Sequence, residues 1–391
     1  MYGEIISPVT IFYIFSLLFI NIGSYFYMHD SVITKDLNLS LLCFAVSALM
    51  VKLIFKNVSN KRYLTYKTTK IYSDKNLNKA YLSVVITTSI LLFYIFGVPL
   101  FADIPDLAYV SFARNIGPLI MIFSLIIPMI VIFQMVNDYL AFNKIKPYFI
   151  VVSMIAIIML SLTSRRYFQL DMMIWLIFAY KLCGGRIKLF TTIKLFCLAI
   201  ALFVLIYIPR EGIMDVYRII DMLERRVLLI ELRGITTIYE YFLPNNLLGA
   251  DYFLKQLTAL IPFISKDFNL GHELYWLTTH NSTGGYLPPT LYGEMLVCFG
   301  KMGAFIGMAA WGGILQAFYS LTKIALNKKK NVFTITFLSI SYGYLGRSAI
   351  LGFYNSIYQI LLVFMLIVIF YYVQIIIKRN YMVKTAIGRY I

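Results

Sequence analysis

Charged residues are scarce in this 391-residue chain: Asp, Glu, Lys and Arg make up 14% of it, whereas 60% of the residues are hydrophobic. Soluble domains carry about 25% charged residues, and the mean hydropathy here is +0.79. Apolar runs long enough to cross a bilayer recur along the chain. The composition excludes an ordinary soluble domain and predicts an all-α polytopic membrane protein.

Cysteine is also scarce. The four cysteines lie in or beside apolar runs, and none has CxxC spacing (Cys43, Cys183, Cys197 and Cys298). Neither a disulfide framework nor a zinc site is indicated. The segments predicted below to lie outside contain no DxD or HExxH pattern. We therefore expect neither a metal nor another cofactor.

Two further features are lacking. The first apolar run, 5–28, has no positively charged start and no small-residue cleavage site after it, so we expect a membrane span rather than a signal peptide. The net charge of +17 comes mainly from basic residues that flank apolar runs, without the aromatic and basic pattern of a nucleic-acid module. Membrane lipid is expected as a partner, and nucleic acid is not.

The apolar runs predict ten transmembrane helices in three parts. The first seven spans occupy 1–208, an external and partly helical loop follows at 209–288, and 289–391 holds the last three spans and a tail. The predicted spans are 5–28, 39–55, 80–101, 117–136, 147–163, 167–183, 191–208, 289–321, 332–350 and 355–377.

The segment 56–79 sets the orientation, because it carries seven lysines and arginines against the single acid Asp74. Such a segment is expected in the cytoplasm. Alternation then places both termini in the cytoplasm and the loop 209–288 outside. The basic tail 378–391 agrees with this topology, although it was not used to set it.

Lysine and arginine are divided unequally between the two sides. The inner segments and span ends hold 18 lysines and 4 arginines, and the outer ones hold 4 lysines and 9 arginines. Arginine grips phosphate or carboxylate with two parallel hydrogen bonds and keeps its charge when partly buried. The excess indicates an anionic ligand on the outer face. The alternative is pairing with the outer acids Glu211, Asp215, Asp221, Glu224 and Glu231.

The segment 213–233 predicts an amphipathic helix on the outer membrane surface, a short distance after Arg210. At about 100° per residue, its four arginines fall within one arc of roughly 100°. They would form a basic wall for a lipid-linked phosphate or bind lipid head groups and nearby acids. These arginines are Arg218, Arg225, Arg226 and Arg233.

Three more arginines stand at outer span ends: Arg165 and Arg166 in SLTSRRYFQL, and Arg347 in YGYLGRSAI. A charge at this depth is costly unless it has a partner or faces a cavity. Snorkelling to the head groups is the alternative.

The stretch TTHNSTGGYLPPTLYGEMLVCFGKMG, 278–303, is the second half of a long and less apolar interval that begins at about Pro209. Its Gly-Gly turn, its prolines and the pattern Gly-Glu-(x)4-Phe-Gly-(x)2-Gly at the start of a late span resemble the oligosaccharide repeat-unit polymerases, which are O-antigen and capsule polymerases of the Wzy type. Leu-Thr-Ser-Arg before Arg166 is similar to that family's Gly-Ser-Arg-Gly turn, with arginine in place of the last glycine. The resemblance covers most of the chain as architecture and 161–166 and 284–303 as motif.

The resemblance implies an inverting, metal-independent glycosyltransferase of the GT-C type in a bacterial inner membrane. Its substrates would be undecaprenyl-pyrophosphate-linked glycans, and a protein that regulates chain length would be a partner. The leaving group is a lipid pyrophosphate, so arginines would neutralise the developing charge.

Inverting transfer needs a group that orients the acceptor hydroxyl or removes its proton. His280 and Glu294 are the candidates, with His272 and Glu273 behind them. The alternatives are a loop histidine that bonds backbone and a buried partner for Arg347. Asp103, Asp106 and Asp171 are weaker candidates, and Tyr286 is the preferred sugar-stacking aromatic among Tyr275, Trp276, Tyr286 and Tyr292.

Two other functions remain open. An O-antigen ligase would share this architecture and move the glycan onto the lipid A core. A transporter or flippase for lipid-linked sugar would show repeated bundles with polar residues inside the spans. The sequence shows no internal repeat, and its spans look poor in charge.

Overall fold

The computed structural model describes residues 6–28, 31–60, 69–71, 75–185, 217, 221, 224–245, 247–258, 269–280 and 286–387. Within these ranges the chain is helical almost throughout. It forms two compact units. Unit 1 comprises 1–66, 215–325 and 342–361, and unit 2 comprises 67–214, 326–341 and 362–391.

Unit 1 begins with a helix that contains a π-helical turn. Ser7 caps its start by accepting the Thr10 backbone N–H at 3.1 Å. The π-helical segments of this unit are Leu17–Asn21, Arg225–Leu229 and Ile238–Phe242. The α-helices are α1 (Pro8–Ser16), α2 (Ile22–Met28), α3 (Val32–Asn60), and, later in the chain, Ile230–Thr237, Leu243–Asn245, Gly249–Thr258, Leu270–Thr279 and most of Leu291–Lys328.

Unit 2 contains the helices between the basic segment and Gly185. They are α4 (Lys75–Phe96), α5 (Pro105–Ile116), α6 (Ile127–Phe142), α7 (Pro147–Leu162) and α8 (Arg166–Leu182), with 3-10 turns at Pro99–Phe101 and Gly117–Ile120 and a π turn at Ile122–Ile126. In chain order, the unit 1 helices that follow are α9 (Ile230–Thr237), α10 (Leu243–Asn245), α11 (Gly249–Thr258), α12 (Leu270–Thr279) and α13 (Leu291–Lys328). The last two, α14 (Val332–Leu351) and α15 (Phe353–Ile387), contribute to both units.

Six of the described helices are long and apolar enough to cross a membrane: Pro8–Met28, Val32–Lys56, Asn78–Phe101, Ile122–Phe142, Leu291–Leu326 and Phe353–Ile377. Helix α7 is apolar but shorter, with 16 residues. The prediction of a helical, multi-pass membrane protein is confirmed.

The finer prediction of ten spans stays a prediction. Every predicted span except 191–208 coincides with helix, and 191–208 lies outside the described residues. The external loop 209–288 is described only in part, and its described residues are mainly the short helices α9 to α12. Its position outside the membrane also stays a prediction.

Two short strands depart from the all-α prediction. β1 (Thr69–Ile71) pairs in parallel with β2 (Lys329–Asn331), with Thr69 opposite Lys329. Their backbone hydrogen bonds connect two basic segments that follow long helices. The predicted topology places both segments in the cytoplasm, and the pairing requires that they lie on one side.

The helix predicted at 213–233 also differs from the prediction in its number of residues per turn. Arg225–Leu229 is a π-helix, and α9 carries the helical path on past Arg233 to Thr237. A π-turn has more residues per turn than an α-helix. The expectation of one arc at 100° per residue is therefore wrong through this part of the segment.

Gly352, between α14 and α15, makes a testable contribution to stability. Its φ is +81°, and a Cβ there would lie 2.2 Å from Glu294 Oε1. Gly97 has the same φ, but a Cβ there would meet no atom within 4 Å. Gly97→Ala should cost about 1–2 kcal/mol of backbone strain, and Gly352→Ala should cost clearly more, because the carboxylate must also move.

Thermal unfolding of the two purified variants, followed by intrinsic fluorescence, measures the difference. The melting temperature should fall further for Gly352→Ala than for Gly97→Ala. Equal shifts in the two variants would show that the contact with Glu294 contributes nothing.

Candidate functional site

Arg165 is held against an aromatic ring in unit 2. Its guanidinium carbon lies 3.9 Å from the centre of the Tyr109 ring, well within cation–π range. Its Nε is buried and has no hydrogen-bond partner in the structure. The stack fixes the plane of the guanidinium. Because the Nε is buried, the edge that carries the two Nη atoms is the part that can bind an anion.

The backbone before Arg165 explains this placement. Ser164 is fully buried and has a φ of +62°, which is uncommon for a residue with a side chain. Its hydroxyl donates to the Pro105 carbonyl at 3.3 Å, and Pro105 begins α5, the helix that carries Tyr109. The turn between α7 and α8 is thus tied to the helix that supplies the ring.

The other predicted phosphate-binding arginines are only partly described. Arg210 and Arg218 lie outside the described residues, and the side chains of Arg166 and Arg226 lie outside them too. Arg225 pairs with Asp221 at 3.0 Å, with 67% and 57% of the two side chains exposed. Such an exposed i,i+4 pair contributes little, and it matches the alternative of pairing with nearby acids. Arg233 is exposed on α9.

The positive charge of Arg347 affects the pKa of Glu231, an acid of α9 in unit 1. Glu231 is 7% exposed, and its Oε2 is buried with no hydrogen-bond partner. Burial raises the pKa of Glu231 to about 8, and the positive charge of Arg347 only partly offsets this. Glu231 was one of the acids expected to pair with outer arginines. In the structure, the charge of Arg347 lowers its pKa in part.

Glu294 is engaged at a helix end. Its carboxylate accepts the backbone N–H of Phe353 at 2.5 Å, where α15 begins. The first N–H groups of a helix have no partner within the helix, and the side chain of Glu294 supplies one. The alternative that Glu294 pairs with Arg347 is not what the structure shows. Glu294 holds α15 against the first turn of α13.

Tyr286 lies beside this carboxylate in unit 1. Its hydroxyl accepts a hydrogen bond from Asn355 Nδ2 at 2.8 Å, and Glu294 acts on it electrostatically. The His272 ring stands edge-on to the Tyr286 ring, with 5.5 Å between centres. Both side chains are exposed in part. Tyr286, His272 and Asn355 together make a small aromatic and polar surface, the Tyr286 cluster, on which a sugar ring could stack.

His280 ends helix α12. It adopts a left-handed conformation with φ of 53°, and its backbone N–H donates to the Trp276 carbonyl at 2.7 Å. Its exposed ring lies 6.3 Å from that of Trp276. The structure thus gives the His280 backbone a capping role. A catalytic role for its ring stays a prediction.

The remaining candidate acids and aromatic residues do not form a single cluster. Glu273 and Tyr275 lie on α12 near the Tyr286 cluster, Asp103 is exposed, and Asp171 is buried in α8 of unit 2. The side chain of Asp106 lies outside the described residues. Tyr292 is wrong as a sugar-stacking residue, because it is 2% exposed and shares a hydrogen bond with the Tyr239 hydroxyl.

A polar network in unit 1 was missed at the sequence level. Asp36 Oδ2 lies 2.9 Å from Lys301 Nζ and accepts the Tyr239 hydroxyl at 2.7 Å. The Tyr239 and Tyr292 hydroxyls are 2.7 Å apart. The network joins α3, the π turn 238–242 and α13. Lys301, one of few outer lysines, was the available signal, but nothing in its spacing identified Asp36 as the partner.

In comparisons with protein-family models, curated proteins and solved structures, no match to this chain was found.

The buried Glu231 predicts a pH-dependent stability. Its pKa is about 8 in the folded protein and near 4.5 when exposed, so between these values the folded protein holds a proton that the unfolded chain has released. Stability should therefore fall as the pH rises from about 5 to 8. Glu231→Gln should remove this slope and make the protein more stable than wild type at pH 9.

Melting temperatures across pH 5–9 test this. Glu240→Gln, an exposed acid of the adjacent π turn, is the matched control and should follow the wild-type curve. Parallel curves for Glu231→Gln and wild type would contradict the assignment.

Proposed function

We propose that this protein is an inverting, metal-independent glycosyltransferase that polymerises undecaprenyl-pyrophosphate-linked oligosaccharide repeat units into O-antigen or capsular polysaccharide. It would act on the outer face of a bacterial plasma membrane, with both termini in the cytoplasm. The observation that carries the proposal is the Arg165–Tyr109 stack, which lies on one of the two motifs that resemble such polymerases.

The chemistry places two demands on the protein. The acceptor hydroxyl attacks the anomeric carbon of the growing glycan, and the lipid pyrophosphate leaves with its electron pair. Arg165 would bind the leaving pyrophosphate through its Nη edge, because its Nε is buried and its ring-stacked plane is fixed. A role in anion binding for Arg233 and Arg347, which belong to unit 1, stays a prediction.

Within unit 1 taken by itself, we assign contacts to a sugar ring to the Tyr286 cluster. Glu294 accepts a backbone N–H of α15. We therefore assign Glu294 a positioning role: it holds α15 in place, and Asn355 on that helix is held beside Tyr286. His272 and His280 are then the candidate general bases, of which His272 stands against Tyr286.

A lipid-linked sugar transporter is the second candidate, and one observation favours it. Asp138 of α6 is 1% exposed and accepts the Gln134 amide at 3.1 Å, beside the buried Asn137. Asp138 lies two residues beyond the predicted span 117–136 but inside the helix Ile122–Phe142, which is long and apolar enough to cross a membrane. Intramembrane acids are frequent in transport proteins.

Deletion of the gene in a host that makes O-antigen separates these functions and the ligase. We expect lipopolysaccharide that carries a single repeat unit on the core, because the ligase can still transfer an unpolymerised unit. Loss of all repeat units from the core would indicate a ligase instead. Accumulation of lipid-linked units on the inner face would indicate a flippase. Electrophoresis of the lipopolysaccharide and protection of the lipid-linked glycan from externally added enzymes are the measurements.

Substitutions at the stack test the assignment of Arg165. Arg165→Ala should reduce long-chain glycan about a hundredfold or more, the typical cost of losing one group that stabilises developing negative charge. Tyr109→Leu should shorten the chains, because the guanidinium loses its stacking surface. Tyr109→Phe keeps the ring and should restore them. The glycan ladder is measured at matched protein levels.

Arg114→Ala is the control, since Arg114 is an exposed arginine on the same helix as Tyr109. Its ladder should match that of wild type. Equal effects of Tyr109→Leu and Tyr109→Phe would argue against positioning by the ring, and normal chains in Arg165→Ala would overturn the site.

A further inference from the structure

A groove opens on the side of unit 1 between three helices that meet the criteria for membrane spans. It is lined by α1, α3 and α13 and has a volume of about 280 Å³. This is close to the lower limit of small-ligand sites, about 300 Å³. The groove could hold a head group or part of an acyl chain. It shares no lining residue with the Arg165–Tyr109 stack or the Tyr286 cluster.

The groove is polar at one end and apolar along its floor. Phe44 and Ala48 of α3 are buried and form the apolar part, with Ala45 at the wall. Lys52 lies about two turns beyond Phe44 and one turn beyond Ala48 along α3, and the antiparallel packing of α1 on α3 places it at the same end as Ser7, the cap of α1. Helices α1 and α3 therefore place a cation and hydroxyl groups at the end of an apolar channel about two helical turns long.

The walls outside the groove are those of a lipid-facing surface. Leu49 at the rim of the groove and Met50, Leu53 and Ile54 beyond it are all more than half exposed, although α3 is long and apolar enough to span a membrane. In a bilayer such side chains contact acyl chains. A ligand therefore reaches this groove from lipid, and it must carry an apolar tail.

The charge around the polar end selects the head group. After Lys52, α3 continues to Lys56, and the basic segment 56–79 follows. Clusters of basic residues next to a span attract anionic lipids of the cytoplasmic leaflet. Lys52 itself can extend along its apolar stem to place the ammonium at head-group level.

We propose that this groove binds an anionic glycerophospholipid of the inner leaflet. One acyl chain lies along Phe44, Ala45 and Ala48, and the head-group phosphate lies at Lys52 and the hydroxyls of Ser7 and Thr10. The proposal is independent of the glycosyltransferase assignment, because its residues take no part in that site.

Native mass spectrometry of the detergent-purified protein tests the proposal with phosphatidylglycerol and phosphatidylethanolamine of matched acyl chains. Wild type should retain phosphatidylglycerol preferentially. Lys52→Ala should weaken that retention about fivefold, as expected for one lysine near an anionic surface. Ala45→Phe, which fills the groove from its wall, should abolish the preference.

Two control variants are matched to these. Lys323→Ala removes an exposed lysine from α13 that does not line the groove, and Val46→Phe adds a ring on the neighbouring, lipid-facing position of α3. Both should bind as wild type. Equal retention of the two lipids, or a preference that survives both Lys52→Ala and Ala45→Phe, would overturn the proposal and leave only ordinary lipid contact.

Discussion

The structure depends on one constraint: inside a membrane, the backbone groups at a helix end must find their partners within the protein. The contact between Glu294 and the Phe353 N–H meets this constraint at the start of α15. It requires a glycine at position 352, because the carboxylate occupies the space of a Cβ. The last long helix is thereby fixed to the start of α13, and Asn355 is carried to Tyr286.

The unpaired backbone groups at helix ends, inside or outside a membrane, account for several polar residues that the sequence makes conspicuous. The His280 backbone ends α12, Ser7 begins α1, and the buried Thr290 accepts the Gly293 N–H at 3.1 Å at the start of α13. Groups used in this way are set in place before any ligand arrives. The side chains that would contact a substrate in the proposed reaction must then be others, which packing holds in place while their polar atoms face outward. Arg165 on the Tyr109 ring is the clearest example.

The sequence predicts the helices well and the side-chain partners poorly. Apolar runs determine where a bilayer can hold a helix, so α7 and α8 follow their predicted bounds within about a turn. The partner of an isolated polar group depends on helix packing, which leaves no local trace. Glu294 and Arg347 looked like a pair from their depth alone, whereas in the structure Glu294 accepts a backbone N–H of α15.

Irregular helix was the second cause of error. The arc of arginines in 213–233 assumed a constant rotation, and the π turn at Arg225–Leu229 breaks it. The ring beneath Arg165 was equally hidden, since Tyr109 lies 56 positions away in a helix that also contains Phe112. Only the turn at 161–166 pointed toward that site, through its resemblance to a family motif.

The position of buried charge bears on the choice between transfer and transport. A transporter binds its substrate near the middle of the bilayer, with polar groups on broken helices at that depth. Asp138 is four residues from the end of α6 at Phe142, which is about 6 Å along the axis. It therefore lies close to the end of its helix. Arg165 likewise lies at a helix boundary. In the predicted topology, Asp138 stands at the inner end of α6 and Arg165 at the outer start of α8, so neither lies at the mid-bilayer depth at which a transporter holds its substrate.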